Sequence, residues 1–139
     1  MKPKKSRNYW VICWNAEEND KGEKLSTRIF QTFLERLPPH HRFEAYGYNR
    51  GSSSMLFHEV AKGDHVFCYQ SDEGSYVGLC EVEERTSRAP GGRCLVLATV
   101  KTLRFQGNIS SKKALVKLSE KKAKELFKCF GLPWPGLPN

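Results

Sequence analysis

Apolar and polar positions along this chain switch between a period of two and a period near 3.6. The first apolar run, residues 8–14 (Asn-Tyr-Trp-Val-Ile-Cys-Trp), is aromatic and β-branched and predicts a strand. Trp10, Ile12 and Trp14 share one face and Tyr9, Val11 and Cys13 the other. Both faces are apolar, so the strand is expected to be central. A polar loop over residues 15–24 leads to Leu25, Ile29, Phe30, Phe33, Leu34 and Leu37, a helical stripe stopped by Pro38-Pro39. Residues 40–54 have no clear period and predict a long loop with one short strand at 43–46. Ordered loops of that length in compact domains are usually functional or mobile.

Residues 55–62 predict a short helix or turn that delivers the chain into Gly63-Asp64. Strands are predicted at 66–69 and 76–83, followed by a loop over 85–93 marked by Pro90-Gly91-Gly92. A strong strand at 94–103, a loop over 104–110 and a short strand or extended segment at 114–118 follow. Ser119 opens a second helix with an acid in its first turn, and Gly131 closes it. Residues 132–139 form a Pro-rich tail whose Trp134 is either an anchor against the domain or a residue of the chain end. The organisation read from this pattern is a basic arm (1–7), one domain (8–130) and a tail or linker (131–139). The order of elements predicts an α+β domain around a small mixed sheet or barrel flanked by helices.

Composition narrows the function classes. A chain of 139 residues is long enough for one real core. Apolar runs such as 94–100 are far too short to span a bilayer, and the basic start is not followed by a signal-peptide core. The five cysteines are odd in number and widely spaced, with no Cys-x-x-Cys, and His40-His41 have no partner at ligand spacing. Neither a disulfide framework nor a metal site is expected; small buried hydrophobes in a reducing, intracellular compartment account for them. Twenty-three basic residues against 15 acidic ones give a net charge of +8, which favours polyanionic partners, nucleic acid first. No basic helix with a broad apolar face argues for a membrane.

Candidate chemistry is sparse. Alternation places Tyr69 and Ser71 on one strand face, either as the floor for a planar ligand or as a core aromatic followed by a turn residue. Tyr48 sits in a glycine-flanked loop where no local pattern requires it for packing. The acidic residues form no metal-binding cluster, and no nucleophile–base pairing stands at local spacing, so no catalytic residue and no cofactor is assigned.

Three segments together resemble the EVE domain, a family of the PUA-like superfamily that also holds the YTH readers. They are the opening strand running into Asn15-Ala16-Glu17, the segment Tyr48-Asn49-Arg50, and the stretch Gly63-Asp64, Val66-Phe67-Cys68-Tyr69-Gln70-Ser71, Val77-Gly78-Leu79-Cys80-Glu81-Val82. The last is similar to the family's Gly-Asp, Phe-Tyr-His-Ser and Gly-x-x-Glu-Val sequence, with Gln70 in place of His. Ala114-Leu115-Val116-Lys117 is a weaker match. The resemblance implies a PUA-like pseudo-barrel and a non-catalytic reader of a modified base, methylated or hydroxymethylated, flipped from DNA or RNA into an aromatic pocket.

A flipped base needs stacking surfaces, worth about 1–3 kcal/mol per base, and polar groups for its Watson–Crick edge. On this resemblance the base pocket comprises Trp14, Asn15, Glu17, Tyr48, Asn49, Tyr69 and Ser71. Backbone contacts fall to Lys4, Lys5, Arg7, Arg42, Arg50, Arg88 and Arg93, with Arg85 and Arg104 as further candidates. Many family members carry Lys-Ser-Glu-Pro where this chain has Cys13-Trp14-Asn15-Ala16, so Trp14 either adds a wall to the pocket or closes it. The expected partner is a nucleic acid with a modified base, bound by a monomer. A fused or associated nuclease, or another RNA-processing protein, would give such a reader its effector. An enzyme acting on nucleic acid is the competing class.

Overall fold

The computed structural model describes residues 8–14, 42–46, 55–70, 74–89, 92–109 and 115–134. Six strands form one mixed sheet: β1 (Tyr9–Trp14), β2 (Arg42–Tyr46), β3 (His65–Gln70), β4 (Ser75–Ala89), β5 (Gly92–Gln106) and β6 (Leu115–Lys117). Their order across the sheet is β2-β5-β4-β3-β1-β6. β1 pairs parallel with β3, and every other pairing is antiparallel. A 3₁₀ turn (Phe57–Glu59) precedes β3, and one helix, α1 (Glu120–Cys129), follows β6. The α+β class and the mixed sheet expected from the sequence are therefore present; the helical stripe at 25–37 lies outside the described residues.

β1 is central, between β3 and β6, and its two apolar faces serve two cores. Trp10 and Ile12 pack with Val66, Cys68, Leu95 and Leu115. Tyr9 and Val11 face the other way, toward Phe67, Leu79 and the α1 residues Leu126 and Phe127. All six residues of β3 are buried, including His65 and Gln70.

Gly63-Asp64 has a structural role. Gly63 adopts φ 93°, a left-handed conformation that favours glycine. The buried Asp64 carboxylate then accepts three hydrogen bonds: from Trp10 Nε1 (2.9 Å), Ala61 N (2.9 Å) and Asn8 N (3.2 Å). One side chain thus ties the entry of β3 to the start of β1 and holds the Trp10 indole in the core.

The β4–β5 hairpin is longer than its sequence pattern suggests. Where a loop is predicted over 85–93, β4 continues to Ala89 and β5 begins at Gly92, with those two residues paired. At the other end β5 runs to Gln106, opposite Ser75, through part of the predicted loop over 104–110. Cross-strand pairing overrides the weak strand pattern of these polar stretches. Four register shifts between β4 and β5 mark bulges, which bend and twist such a ribbon.

The helix ends are built as the sequence predicts. Ser119 caps α1, its Oγ accepting from Lys122 N at 3.1 Å. At the other end Gly131 N donates to Lys128 O (2.9 Å) and Leu132 N to Phe127 O (3.0 Å), with Gly131 at φ 71°, a Schellman closure. Lys101 Nζ adds a 2.6 Å hydrogen bond to Phe130 O. Beyond it, Trp134 packs 4.9 Å from the Tyr9 ring and edge-on to Phe127, with Lys124 Nζ 5.5 Å from its centroid. Of the two roles open to Trp134, the anchor is the one seen.

Candidate functional site

Parallel pairing brings the carboxyl ends of β1 and β3 together, with Trp14 in register with Gln70 and Cys13 with Tyr69. Two of the three candidate segments thus leave the sheet side by side, from Trp14 and from Gln70. The candidates that continue them, Asn15, Glu17 and Ser71, lie outside the described residues, as do Tyr48, Asn49, Lys4, Lys5, Arg7 and Arg50. β2, which leads toward Tyr48, ends at Tyr46 opposite Cys94, at the far end of the sheet from Trp14.

Tyr69 requires a correction as a base-stacking surface. Its ring lies in the helix-side core, 3% exposed, edge-on to Tyr76 at 4.9 Å. Its hydroxyl donates to Gly107 O at 2.8 Å. The strand phase is the reason. Positions 13 and 69 belong to one row of the β1–β3 pair and positions 14 and 70 to the other, so Tyr69 stands out of phase with Trp14. Tyr69 is a support of the site's end of the sheet, the core alternative that its pattern left open.

The two tyrosines together pin the segment that leaves β5. Tyr76 Oη donates to Asn108 O at 3.1 Å, and Gly107 N donates to Gly74 O at 3.1 Å. A Cβ on Gly107 would stand 2.7 Å from Tyr76 Cε2, so the ring and the backbone approach closely only because residue 107 is glycine. Burial raises the Tyr69 phenol above its usual range, with Cys13 adding to the effect. Burial raises Tyr76 further, helped by Tyr69, Cys13 and Cys129. Both hydroxyls therefore remain donors across the neutral range.

A cavity of about 560 Å³ opens beside this segment, on the helix side of β1. Val11 and Tyr76 form its floor, and Ile109, Val116 and Leu118 its apolar walls. Asn108, Ser119 and Lys122 add polar residues to the lining, while Lys117 turns its ammonium to the Trp10 ring and Glu59; none of the described lining residues is acidic. Tyr69, the one of the seven pocket candidates whose side chain is described, is not among its lining residues. These residues were missed because they are brought together by β1–β6 pairing and the Tyr76 contact; the cap signal at Ser119 was the one local hint.

The basic candidates divide by environment. Arg42 is exposed on the edge strand β2. Arg93 is half-buried, its guanidinium 5.8 Å from the Phe57 ring centroid. Arg88 lies in β4, its side chain outside the described residues. Arg85, read from the sequence as a phosphate contact, is exposed, and its Nη1 donates to Val60 O at 3.0 Å and also to the carbonyls of Phe57 and His58. Lys117 pairs with Glu59 at 3.3 Å, an exposed contact worth about 0–1 kcal/mol. Cys68 and Cys80 lie 3.8 Å apart as buried thiols, and burial followed by Cys80 pushes Cys68 well up. Among the described residues no group of His, Cys, Asp or Glu is arranged to hold a metal.

No family model and no curated protein matches the chain. Solved structures do. A YTH domain, that of the Zygosaccharomyces rouxii MRB1 protein in complex with N6-methyladenosine RNA, matches with a TM-score of 0.57 over 89% of this chain and 86% of that one, at 8% identity. The chain has the PUA-like fold of YTH domains. The same fold matches protein Atu2648 of Agrobacterium tumefaciens, at TM-score 0.62 and 18% identity over 95% of this chain and 99% of that one. Rpa0253 of Rhodopseudomonas palustris matches at TM-score 0.57 and 16% identity, over 89% and 93%. On this PUA-like frame, the end of the sheet where β1 and β3 finish side by side is the part that two of the three sequence motifs and the tyrosine supports have in common. No helix among the described residues is long and apolar enough to cross a membrane.

Proposed function

We propose that the protein is a non-catalytic nucleic-acid-binding module that reads a modified base flipped out of the strand. The observation that carries this reading is the likeness to a YTH domain solved with N6-methyladenosine RNA, spanning 89% of the chain. The net charge of +8 and the exposed Arg42 are in keeping with a polyanionic partner. In this reading Trp14, Asn15 and Ser71, which continue from neighbouring parallel strands, form the base pocket with Glu17, and Tyr69 supports it from behind; Tyr48 and Asn49, which follow a strand ending at the other end of the sheet, join it through the chain beyond Tyr46. Arg42, Arg88 and Arg93, with the Lys4, Lys5, Arg7 and Arg50 positions, take the phosphates.

Stacking and a closed apolar wall reward a methyl group, whereas lysine and arginine contacts to phosphate carry no base information. The test is the affinity of the whole chain for matched oligonucleotides, DNA and RNA, with and without methylated adenine or methylated or hydroxymethylated cytosine. Tighter binding of one modified strand at constant salt is expected. Equal affinity for every strand, with a steep salt dependence, would reduce the protein to a general nucleic-acid binder.

A further inference from the structure

The strand phase that takes Tyr69 out of the proposed base pocket brings its neighbour into it. Gln70 is in register with Trp14, in the row of the β1–β3 pair that also carries Trp10, Ile12, Val66 and Cys68. Within β3 that row reads Val66, Cys68, Gln70, so its polar member stands where the two strands finish together. Ser75 lies opposite Gln70 on β4 and is buried as fully. The site's end of the sheet is therefore polar inside, where the rest of the row is apolar.

Gln70 is 0% exposed, and a carboxamide is costly to bury unless its polar atoms are served. Gln70 keeps contacts within the chain, yet its Oε1 accepts no hydrogen bond among the described residues. An amide oxygen only accepts, so a donor is what completes it. A base swung in from the Trp14 side, replacing what covers the amide, would bring one. Stacking tolerates every base, since each has a π-face, so selection falls to a polar group at the base edge. Where adenine and cytosine carry an amine on that edge, guanine and thymine carry a carbonyl oxygen, which would set two acceptors against each other.

We infer that Gln70 is a specificity-determining residue of the base pocket, its Oε1 accepting an N–H from the exocyclic amine of the flipped base. The pocket then takes a base of the adenine or cytosine class whose amine keeps a hydrogen. The inference deepens the modified-base reading and rests on it.

Titration of the full chain with matched strands that differ at one base tests it. One pair carries N6-methyladenine or 6-methoxypurine, which puts an oxygen in place of the N–H at the same size. The other carries 5-methylcytosine or thymine, which puts a carbonyl in place of the amine. The pair with the tighter binder identifies the amine, and its counterpart without the N–H is expected to bind about tenfold more weakly, the scale of one buried hydrogen bond. Gln70→Met, which keeps the length of the side chain and removes the acceptor, should erase that difference. The carbon-13 resonance of the Gln70 side-chain carbonyl gives the same reading without a substitution: it should move when the amine-bearing strand binds and stay with its counterpart. Equal affinity of the unmutated chain for both members of the preferred pair, or a carbonyl resonance that does not distinguish them, would overturn the inference. So would a folded Gln70→Met variant that keeps the full difference, or one that loses affinity for every strand alike, which would make Gln70 structural. A preference for a methylated strand that persists beside any of these results leaves the base-reading proposal standing without Gln70. No preference for either methylated strand over its unmethylated match would fault that proposal itself, and this inference with it.

Discussion

Trp10 Nε1 donates to Asp64 Oδ2 at 2.9 Å, joining residues 54 positions apart through atoms buried in the same core. The carboxylate also serves Asn8 N and Ala61 N, so its loss would leave three donors without their acceptor. Asp64→Ala is expected to destabilise the fold by about 2–4 kcal/mol, and Trp10→Phe by less, since Asp64 keeps two of its bonds. Urea denaturation of the two variants and the double variant measures this. A double-mutant coupling energy near zero would show that the bond contributes nothing specific.

Alkaline pH should act through the two tyrosines. Each phenol in the fold keeps its proton to higher pH than in the unfolded chain, where it ionises near pH 10. Below that value the contribution to stability is constant. Above it the unfolded chain releases protons that the folded one retains, so stability falls as pH rises toward the folded-state values. Denaturation midpoints are therefore expected to be steady from neutral pH to about 10 and to drop beyond. Tyr76→Phe should flatten that drop while costing about 1–2 kcal/mol at neutral pH through the lost bond to Asn108 O. A drop of unchanged size in Tyr76→Phe would assign the alkaline loss elsewhere.

Gly107→Ala tests the closeness of the pinned segment. The added methyl would lie 2.7 Å and 2.9 Å from two carbons of the Tyr76 ring, so the ring or the backbone must shift. A cost of about 1–3 kcal/mol is expected, as for other overpacked sites. A neutral effect in thermal unfolding would mean that the segment moves freely and that the cavity beside it has no fixed wall.

How much of this could be read from the chain differs between fold and site. β1, β3 and α1 were legible because period and caps report local structure: Ser119 and Gly131 close the helix where the pattern places them. The full length of the β4–β5 hairpin was not, since residues such as Thr86 and Arg104 owe their strand conformation to the partner strand and to four bulges. The site was legible only as motifs. Gly63-Asp64 proved to be a staple for Trp10, and Tyr69 a support for Gly107, because a motif records that a residue type is needed and leaves the strand phase open. Arg85 shows the same gap for charge: basic in sequence, it turns one guanidinium nitrogen to the carbonyls of residues 57, 58 and 60, which its charge alone does not foretell.

Base reading and backbone binding should separate by mutation. Arg42 is an exposed cation on an edge strand, so Arg42→Gln is expected to weaken modified and unmodified strands alike and to lower the salt slope by about one. Trp14 stands at the end of β1 beside Gln70, where the proposed pocket begins. If its indole stacks on the base, Trp14→Ala should cost about 1–3 kcal/mol on the modified strand and erase most of its advantage, leaving the salt slope intact. If its indole fills the pocket instead, Trp14→Ser should raise affinity and broaden the range of bases accepted. Fluorescence-anisotropy titrations at several salt concentrations decide between the two. Equal losses on modified and unmodified strands from both Trp14 variants would remove Trp14 from the pocket and place base selection in the segments that follow Tyr46 and Gln70.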